Sequence, residues 1–382
     1  ESIPRSFDTA RLFYQDDVPP IFEVILPMTS SAASLDRIYR YYHDFVVGKQ
    51  NLSFREGDIT IAEWIGTFEP ASINVIPLFE DLKNMQRSDA ITREYLKDKD
   101  VEYQRVFLAR SDPAMNYGQV SAILMNKMAL HRLQLLEEEL SIPICPIIGV
   151  GSAPFRGNLR PDNVDHIMSE YPSVQTFTVQ SAFKFDYPHE QVMEGIHALN
   201  EGSRSKAKEV DEERCQQVIE RCTEAYRESL IKVAPLINEV SAFVPRRRKR
   251  KLHIGLFGYS RSLEGVKLPR AIGFCCSFYS LGIPPEVLGL DGLSERDIDF
   301  IREVSPHFDG NMRDALRFMN PESMRLLPEK VTRAVEALDL DYQIDEEHHA
   351  LTTHIMKALR SDGGKGIEEA VLRAANLRGF LG

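Results

Sequence analysis

Short apolar segments alternate with longer amphipathic ones over the first two-thirds of the chain. The short segments are rich in β-branched residues and predict strands, whereas apolar positions spaced three and four apart predict helices. Strands that alternate with helices are typical of a parallel sheet with crossover connections. The predicted strands are 21–26, 73–78, 104–109, 144–150, 174–179 and 252–257, and the predicted helices are 34–47, 80–98, 115–139, 161–170, 188–200 and 205–241.

Beyond residue 262 the apolar spacing is helical throughout, and no clear strand is predicted. We therefore expect two regions: residues 1–262, an α/β portion, either a barrel portion or an open sheet, whose strand ends carry the chemistry, and residues 263–382, a helical region packed on it. Six strands fit either an incomplete eight-stranded β/α barrel or an open doubly wound sheet. The predicted helices of the second region are 268–281, 293–304, 309–318, 328–337, 345–360 and 367–378.

The composition of the 382 residues, 43% hydrophobic and 27% charged, is that of an ordinary globular protein. The chain has 46 lysine and arginine residues against 57 acidic ones, a net charge of −11. This balance argues against general binding to nucleic acid or to an anionic membrane. The basic run 246–251 directly precedes a predicted strand and contains no aromatic residue, so we interpret it as a solvated or intersubunit loop.

Several features of the sequence predict a cytoplasmic protein. No apolar segment approaches the length of a membrane span, and no signal peptide opens the sequence. The five cysteines are odd in number and lack CxxC pairing, which indicates reduced thiols.

Residues 144–161 combine an apolar predicted strand with a loop rich in glycine and arginine. Glycine lets a backbone approach a ligand closely, and arginine forks bind carboxylate or phosphate. The loop lacks both the Gly-Lys-Ser/Thr of P-loops and the spacing of the dinucleotide fingerprint. We interpret it as an anion-binding loop, the alternative being a tight turn with solvated arginines. Its candidate residues are Gly149, Gly151, Arg156, Gly157 and Arg160.

Two carboxylates follow neighbouring predicted strands. Glu80 ends the segment that begins at Asn74, and Asp112 follows the next strand, with Asn116 shortly after it. Oxygen ligands of this kind suit Mg²⁺ or Mn²⁺, which keep water or substrate oxygens in their other positions. An equally supported alternative is that both carboxylates cap the helices that follow.

Two further arginines lie near the last predicted strand. Arg261 follows its glycine-rich end, and Arg270 opens an apolar predicted helix. A helix N-terminus attracts anions, and an arginine there strengthens that attraction. The alternative for Arg270 is a surface residue beside Pro269, which fits the first position of a helix.

Three histidines, His348, His349 and His354, lie on one predicted helix with two glutamates. Their spacing is not that of an HExxH zinc site. We expect them to form a solvated helix face.

Together, Glu80, Asp112, the glycine–arginine loop, Arg261 and Arg270 resemble phosphoenolpyruvate carboxylase in its smaller, archaeal-type form. The resemblance extends from end to end of the chain. The segments that carry it are 22–31, 74–80, 105–118, 149–161, 251–261 and the ending 377–382.

The resemblance implies a β₈ barrel surrounded by helices, assembled as a homotetramer. It implies that phosphoenolpyruvate and bicarbonate react, with Mg²⁺ or Mn²⁺, to give oxaloacetate and phosphate. Glu80 and Asp112 would bind the metal, while Arg261 and Arg270 would face substrate phosphate or carboxylate groups. Arg156 and Gly157 would belong to the catalytic loop, and Asn116 would also lie at the catalytic site.

The sequence departs from the larger bacterial and plant enzymes in two places. Their His-Gly-Arg-Gly-Gly stretch corresponds here to Ile-Gly-Val-Gly-Ser, and their lysine after the metal aspartate corresponds to Met115 or Asn116. The family also has an upstream segment carrying a catalytic histidine and arginine. We expect a longer or cleaved protein, or a separate N-terminal chain that completes the barrel, and we expect residues 1–382 alone to lack activity.

Two other functions are compatible with the sequence. One is a different Mg²⁺-dependent barrel enzyme, a lyase or aldolase of keto acids, from which bicarbonate dependence distinguishes a carboxylase. The other is a non-catalytic subunit, against which metal binding at Glu80 and Asp112 would count.

Overall fold

A computed structural model describes residues 2–14, 19–246, 262–263, 266–361, 364 and 366–382. The chain divides into two compact units. The first comprises residues 1–108 and 132–147, and the second comprises residues 109–131 and 148–382.

Five parallel strands form one sheet in sequence order, and thus each new strand neighbours the previous one. The register pairs Val24 with Val75 and Phe79 with Leu108. The predicted α/β class with a parallel sheet is thereby confirmed. The strands are β1 Glu23–Leu26, β2 Asn74–Phe79, β3 Gln104–Ala109, β4 Ile144–Gly149 and β5 Thr176–Phe177.

The agreement between predicted and observed strand boundaries varies from strand to strand. Residues 104–109 form a strand as predicted, whereas the prediction over 174–179 shrinks to the two residues of β5. The predicted strand 252–257 lies outside the described residues. Val75, Phe79, Val106 and Leu108 are fully buried, as expected for a parallel sheet covered on both faces.

Helices account for most of the remaining chain. The prediction over 34–47 becomes an α-helix followed by a π-helical turn, Tyr41–Val47, and the prediction over 80–98 divides into two helices. The helices up to residue 241 are α1 Ser2–Tyr14, α2 Ala32–Arg40, α3 Ile61–Ile65, α4 Leu82–Met85, α5 Ser88–Leu96, α6 Ser111–Tyr117, α7 Gln119–Leu140, α8 Val164–Glu170, α9 Ser181–Phe185, α10 His189–Glu201 and α11 Glu212–Ser241.

The region after residue 262 is mostly helical, as predicted. Ser294 and Asp297 form a capping box at the start of one of its helices, and Asp345 caps another. These helices are α12 Ala271–Ser280, α13 Glu295–Val304, α14 Phe308–Leu316, α15 Pro321–Met324, α16 Glu329–Glu336, α17 Glu346–Arg360 and α18 Ile367–Arg378.

The expectation that no strand follows residue 262 is wrong in one detail. Two short strands, β6 Ser262–Leu263 and β7 Val266–Lys267, pair antiparallel. Strands of two residues are too short for an alternating pattern to be visible in the sequence.

The expectation of a solvated histidine face on α17 is wrong for His348. This side chain is fully buried, because α18 packs against α17 and covers it, whereas His354 is exposed. The Arg378 Nη1 atom lies 2.9 Å from His348 Nε2. Burial, aided by the nearby Arg378 charge, lowers the pKa of His348 to about 2.

No single helix in the described ranges is long and apolar enough to cross a membrane. The pair Ala271–Ser280 and Pro285–Gly292, bent by 96°, passes that test only when taken together, by length and composition. All five cysteines are thiols rather than disulfides, as predicted, and four of them are buried.

Candidate active site

The glycine–arginine loop follows β4 directly and begins with a tight fold of the backbone. A 3₁₀ turn, Pro154–Arg156, is followed by Gly157 at φ 120°. A Cβ atom on Gly157 would lie 2.7 Å from Val150 Cγ1, and one on Gly151 would lie 2.6 Å from Arg156 Cζ. Both positions therefore require glycine, because the loop packs against its own side chains.

Arg156 is almost completely buried, with 4% of its surface exposed. Its Nε donates to Ser111 Oγ at 3.1 Å, and its Nη1 donates to the backbone oxygen of Gly382 at 2.6 Å. Its Nη2 donates to Gln180 Oε1. Contacts on every guanidinium nitrogen fix the plane of the Arg156 guanidinium. A planar, two-pronged donor is what distinguishes arginine from lysine as an anion ligand.

Phe155, the residue before Arg156, is held at its ring, its N–H and its carbonyl oxygen. Its ring stacks on Phe274 of α12, with centroids 5.7 Å apart. Its N–H donates to Glu286 Oε1 at 2.5 Å, and its carbonyl oxygen accepts from Arg110 Nη1 at 3.2 Å. The backbone of the turn is thus tied to buried polar groups on both sides.

Glu286 lies on a second 3₁₀ turn, Pro285–Val287, and is fully buried. It also accepts a hydrogen bond from the Tyr279 hydroxyl at 2.6 Å. Burial raises the pKa of Glu286 to about 7, although hydrogen bonds from Tyr279 and Phe155 and the charge of Arg110 act in the opposite direction. Glu286 was not predicted from the sequence, although a lone carboxylate inside the apolar stretch 281–290 is a visible signal.

Asp112 and Asn116 both lie on α6. Asp112 is in the first turn, and both side chains are partly buried. The neighbouring Ser111 is hydrogen-bonded to Arg156, and α6 contacts both the 3₁₀ turn of the loop and α12. The start of α6 is therefore adjacent to the glycine–arginine loop, as expected if Asp112 belongs to the same site. Tyr226 fixes the far end of this helix by donating to the Met115 carbonyl oxygen at 2.8 Å.

The second half of the loop is anchored to α14. Asn158, at φ 61°, donates through Nδ2 to Asn311 Oδ1 at 2.8 Å and to Asp314 Oδ2 at 2.9 Å. Arg160 pairs with Asp162 and Asp314. Of the two loop arginines, Arg160 therefore contacts the carboxylates of Asp162 and Asp314. The contacts described for Arg156 are to Ser111, Gln180 and the backbone oxygen of Gly382.

Arg270 occupies the N-cap position of α12. Its side chain is exposed and makes no capping hydrogen bond, while its carbonyl oxygen accepts from Phe274 N at 2.7 Å. The guanidinium therefore stands at the positive end of a helix that contacts α6. Arg261, the other arginine predicted here, lies outside the described residues.

Glu80 belongs to the first unit and immediately follows β2. Its side chain is only 8% exposed, and its Oε2 accepts from Met28 N at 2.9 Å. Met28 follows β1 and has φ 54°, a conformation that directs its N–H to the carboxylate. Glu80 is thus fixed at the end of a central strand, which is where the sequence pattern placed it.

The carboxylates of Glu80 and Asp112 are the hard oxygen donors that Mg²⁺ and Mn²⁺ prefer. Within the described ranges, no group of three or more histidine, cysteine or acidic residues is arranged to hold a metal. Mg²⁺ is commonly held by one or two carboxylates together with substrate oxygens and water, so two such residues fit that ion in chemistry.

Comparison with known proteins gives one consistent family. The family profile for phosphoenolpyruvate carboxylase matches residues 1–382. A phosphoenolpyruvate carboxylase of Methanothermobacter thermautotrophicus is 52% identical over 382 residues, and one of Methanospirillum hungatei is 50% identical; each alignment covers all of this chain and 78% of the relative. One of Pyrococcus abyssi is 45% identical over 388 residues, again covering all of this chain and 78% of the relative.

Proposed function

This chain belongs to the phosphoenolpyruvate carboxylase family, and from that premise we propose that it carries out the carboxylation of phosphoenolpyruvate by bicarbonate. The products are oxaloacetate and phosphate. The observation that carries the proposal is the match over all 382 residues to carboxylases up to 52% identical, together with an ordered glycine–arginine loop at the end of a parallel strand.

The proposed reaction has two stages. Bicarbonate oxygen attacks phosphorus and the bond to the enol oxygen breaks, which gives carboxyphosphate and the enolate of pyruvate. Carboxyphosphate then releases CO₂ and phosphate, and C3 of the enolate attacks the CO₂. Negative charge moves onto phosphoryl and enolate oxygens, so fixed positive groups stabilise the transition state more than the bound substrate.

In this proposal Arg156 and Arg270 supply those groups. Arg156 is held in one plane by Ser111 and Gln180 and is therefore oriented before substrate binds. Arg270, exposed at the start of α12, binds a substrate phosphate or carboxylate, helped by the positive end of that helix. We keep Asn116 and Arg261 as further candidates for contacts with substrate.

We propose Glu80 and Asp112 as the residues that hold Mg²⁺ or Mn²⁺. A bound divalent cation would supply Lewis-acid stabilisation to phosphoryl and enolate oxygens. The carboxylates themselves bind and orient, and the hydrogen bond from Met28 fixes one Glu80 oxygen.

The enolate must be shielded from water, since protonation at C3 would give pyruvate instead of oxaloacetate. The aromatic side chains of Phe155, Phe274 and Phe278 are fully buried beside the loop. In the proposed function they form an apolar wall that limits the access of water to Arg156.

The proposal extends to the family's architecture and assembly. We propose that the five parallel strands belong to a (β/α)₈ barrel, with residues 1–262 as its barrel portion and 263–382 as the helical region that packs on it. We also propose a cytoplasmic homotetramer. The expectation that these 382 residues alone are inactive stays a prediction, which the assay below tests when it is run on this chain and on the complete protein.

The deciding experiment supplies ¹³C-bicarbonate and phosphoenolpyruvate to the complete protein. We expect label in the new carboxylate of oxaloacetate and one phosphate released per oxaloacetate. Product that carries no label, or that forms equally well when bicarbonate is left out, would instead identify a keto-acid lyase or aldolase. No turnover by the complete protein would favour a non-catalytic subunit.

A further inference from the structure

We propose that Glu286 is a positioning residue for Arg156, acting through the peptide of Phe155. This inference rests on the proposed role of Arg156 in the carboxylation reaction. Glu286 is distant in sequence from the loop and is not among the residues predicted from the sequence.

Glu286 and Arg156 are connected through Phe155. Phe155 N–H donates to Glu286 Oε1 at 2.5 Å, and Phe155 is joined directly to Arg156 in the chain. The opposite side of Phe155 is held by Arg110, which donates to its carbonyl oxygen at 3.2 Å. Both backbone groups of Phe155 therefore have buried partners, and rotation of this residue would carry the Cα of Arg156 with it.

Glu286 is itself held in place from α12. The Tyr279 hydroxyl donates to the same oxygen, Oε1, at 2.6 Å. The Tyr279 ring lies 5.4 Å from the Arg378 guanidinium carbon. The Oε1 atom is thus a fixed acceptor rather than the end of a mobile side chain.

The choice of a carboxyl group at this position is costly for stability. Glu286 Oε2 is buried without a hydrogen-bond partner among the described residues. An unsatisfied buried oxygen destabilises a protein, and an apolar side chain of similar volume would avoid that penalty. A requirement for an acceptor opposite Phe155 N–H explains why a carboxyl group stands here.

The positioning role makes a prediction that a purely structural role does not. Catalysis by a fixed guanidinium is sensitive to small displacements, and a misplacement of about 1 Å can cost about 100-fold in rate. If Glu286 acts through Arg156, its removal should cost activity only where Arg156 is intact. General loosening of the fold would cost the same in any background.

The experiment is a double-mutant cycle in the complete protein, with carboxylation assayed by oxaloacetate formation. We expect E286L to lower kcat by about ten- to 100-fold, with a smaller change in the KM for phosphoenolpyruvate. E286Q keeps an acceptor oxygen and should stay within about threefold of wild type. In the R156K background, E286L should cost less than about threefold.

Tyr279→Phe and Thr352→Val form a matched pair that covers the case in which E286L does not fold. Each removes one buried hydroxyl, the first at Glu286 and the second at Asn320, whose Nδ2 donates to Thr352 Oγ1 at 2.9 Å. We expect Y279F to lower kcat by about threefold in wild type and not in R156K, and T352V to leave kcat unchanged.

The outcomes separate the two proposals. If E286L lowers kcat by the same factor in the wild-type and R156K backgrounds, the positioning role alone is overturned. If E286L does not fold, the same comparison is made with Y279F. A loss of kcat in T352V equal to that in Y279F would likewise overturn the positioning role. Unchanged activity in R156K itself would overturn the proposed role of Arg156, and the positioning role with it.

Discussion

The Arg378 guanidinium and the His348 ring meet inside the helical region, with Nη1 2.9 Å from Nε2. Because arginine is always charged, the imidazole must accept this hydrogen bond and stay neutral. Both side chains are buried, and Arg378 also donates to the Leu381 carbonyl oxygen. The buried, neutral His348 therefore helps to fix Arg378, which in turn holds the segment after α18.

This pair predicts a loss of stability in acid. The pKa of His348 is about 2 in the folded chain and 6.5 in the unfolded one, so only the unfolded chain takes up this proton between those values. The free energy of unfolding should therefore fall as pH drops below 6.5, by at most about 1.4 kcal/mol per pH unit. Urea unfolding of wild type and His348→Gln at pH 7.5 and pH 5.5 measures the difference, and wild type should lose about 1 kcal/mol more than the variant.

His354 supplies the control, because it lies on the same helix and is exposed. Its replacement by glutamine should leave the pH dependence of wild type intact. If H348Q loses as much stability as wild type between the two pH values, the neutral buried histidine is not the cause.

The strands show what the sequence could predict. Residues 106–109 and 144–150 are short apolar segments, and the strands Gln104–Ala109 and Ile144–Gly149 that contain them form within one residue of prediction. The spacing of apolar residues within a short segment is visible in the sequence itself, so strands can be predicted from it without the tertiary structure. Glu80 and the glycine–arginine loop were found for the same reason, since each directly follows such a run.

The contacts of the loop could not be predicted in this way. Arg156 contacts Ser111, Gln180 and Gly382, and the residue before it contacts Glu286. These partners come from distant segments, and no local pattern pairs them. His348 was misassigned for a related reason: its burial depends on α18, which lies later in the chain.

The proposed metal ligands give a prediction that needs no turnover. Replacing Glu80 by Gln or Asp112 by Asn removes one anionic oxygen donor at nearly constant size. We expect each change to weaken Mn²⁺ binding by at least about tenfold, measured by calorimetry or by the electron paramagnetic resonance of free Mn²⁺.

Asp165 provides a matched control for Asp112. It is likewise in the first turn of a helix, α8, but is exposed. Asp165→Asn should bind Mn²⁺ as wild type does. Unchanged binding in both E80Q and D112N would remove these residues from the metal site and reopen the helix-capping alternative.

Arg270 tests the second anion site. Its replacement by lysine keeps the charge but exchanges a two-pronged fork for a single point donor. We expect the KM for phosphoenolpyruvate to rise by about tenfold in steady-state kinetics at saturating bicarbonate, because roughly one charge-assisted hydrogen bond is lost. Arg333→Lys, an exposed change on α16, should have no such effect. Kinetic constants in R270K equal to those of wild type would exclude Arg270 from substrate binding.

A substitution at Gly157 tests whether stability and activity require the backbone conformation that the loop adopts in the structure. At φ 120°, with an added Cβ only 2.7 Å from Val150 Cγ1, alanine is disfavoured both by conformation and by contact. Gly157→Ala should destabilise the protein by roughly 1–3 kcal/mol and lower kcat, because the turn that carries Arg156 must shift. Gly310→Ala is the control: it lies in α14 with open space around it, so the change should be neutral or stabilising by up to about 1 kcal/mol. Thermal unfolding and oxaloacetate formation measured on both variants decide the matter, since wild-type values in G157A would mean that the loop tolerates another backbone conformation.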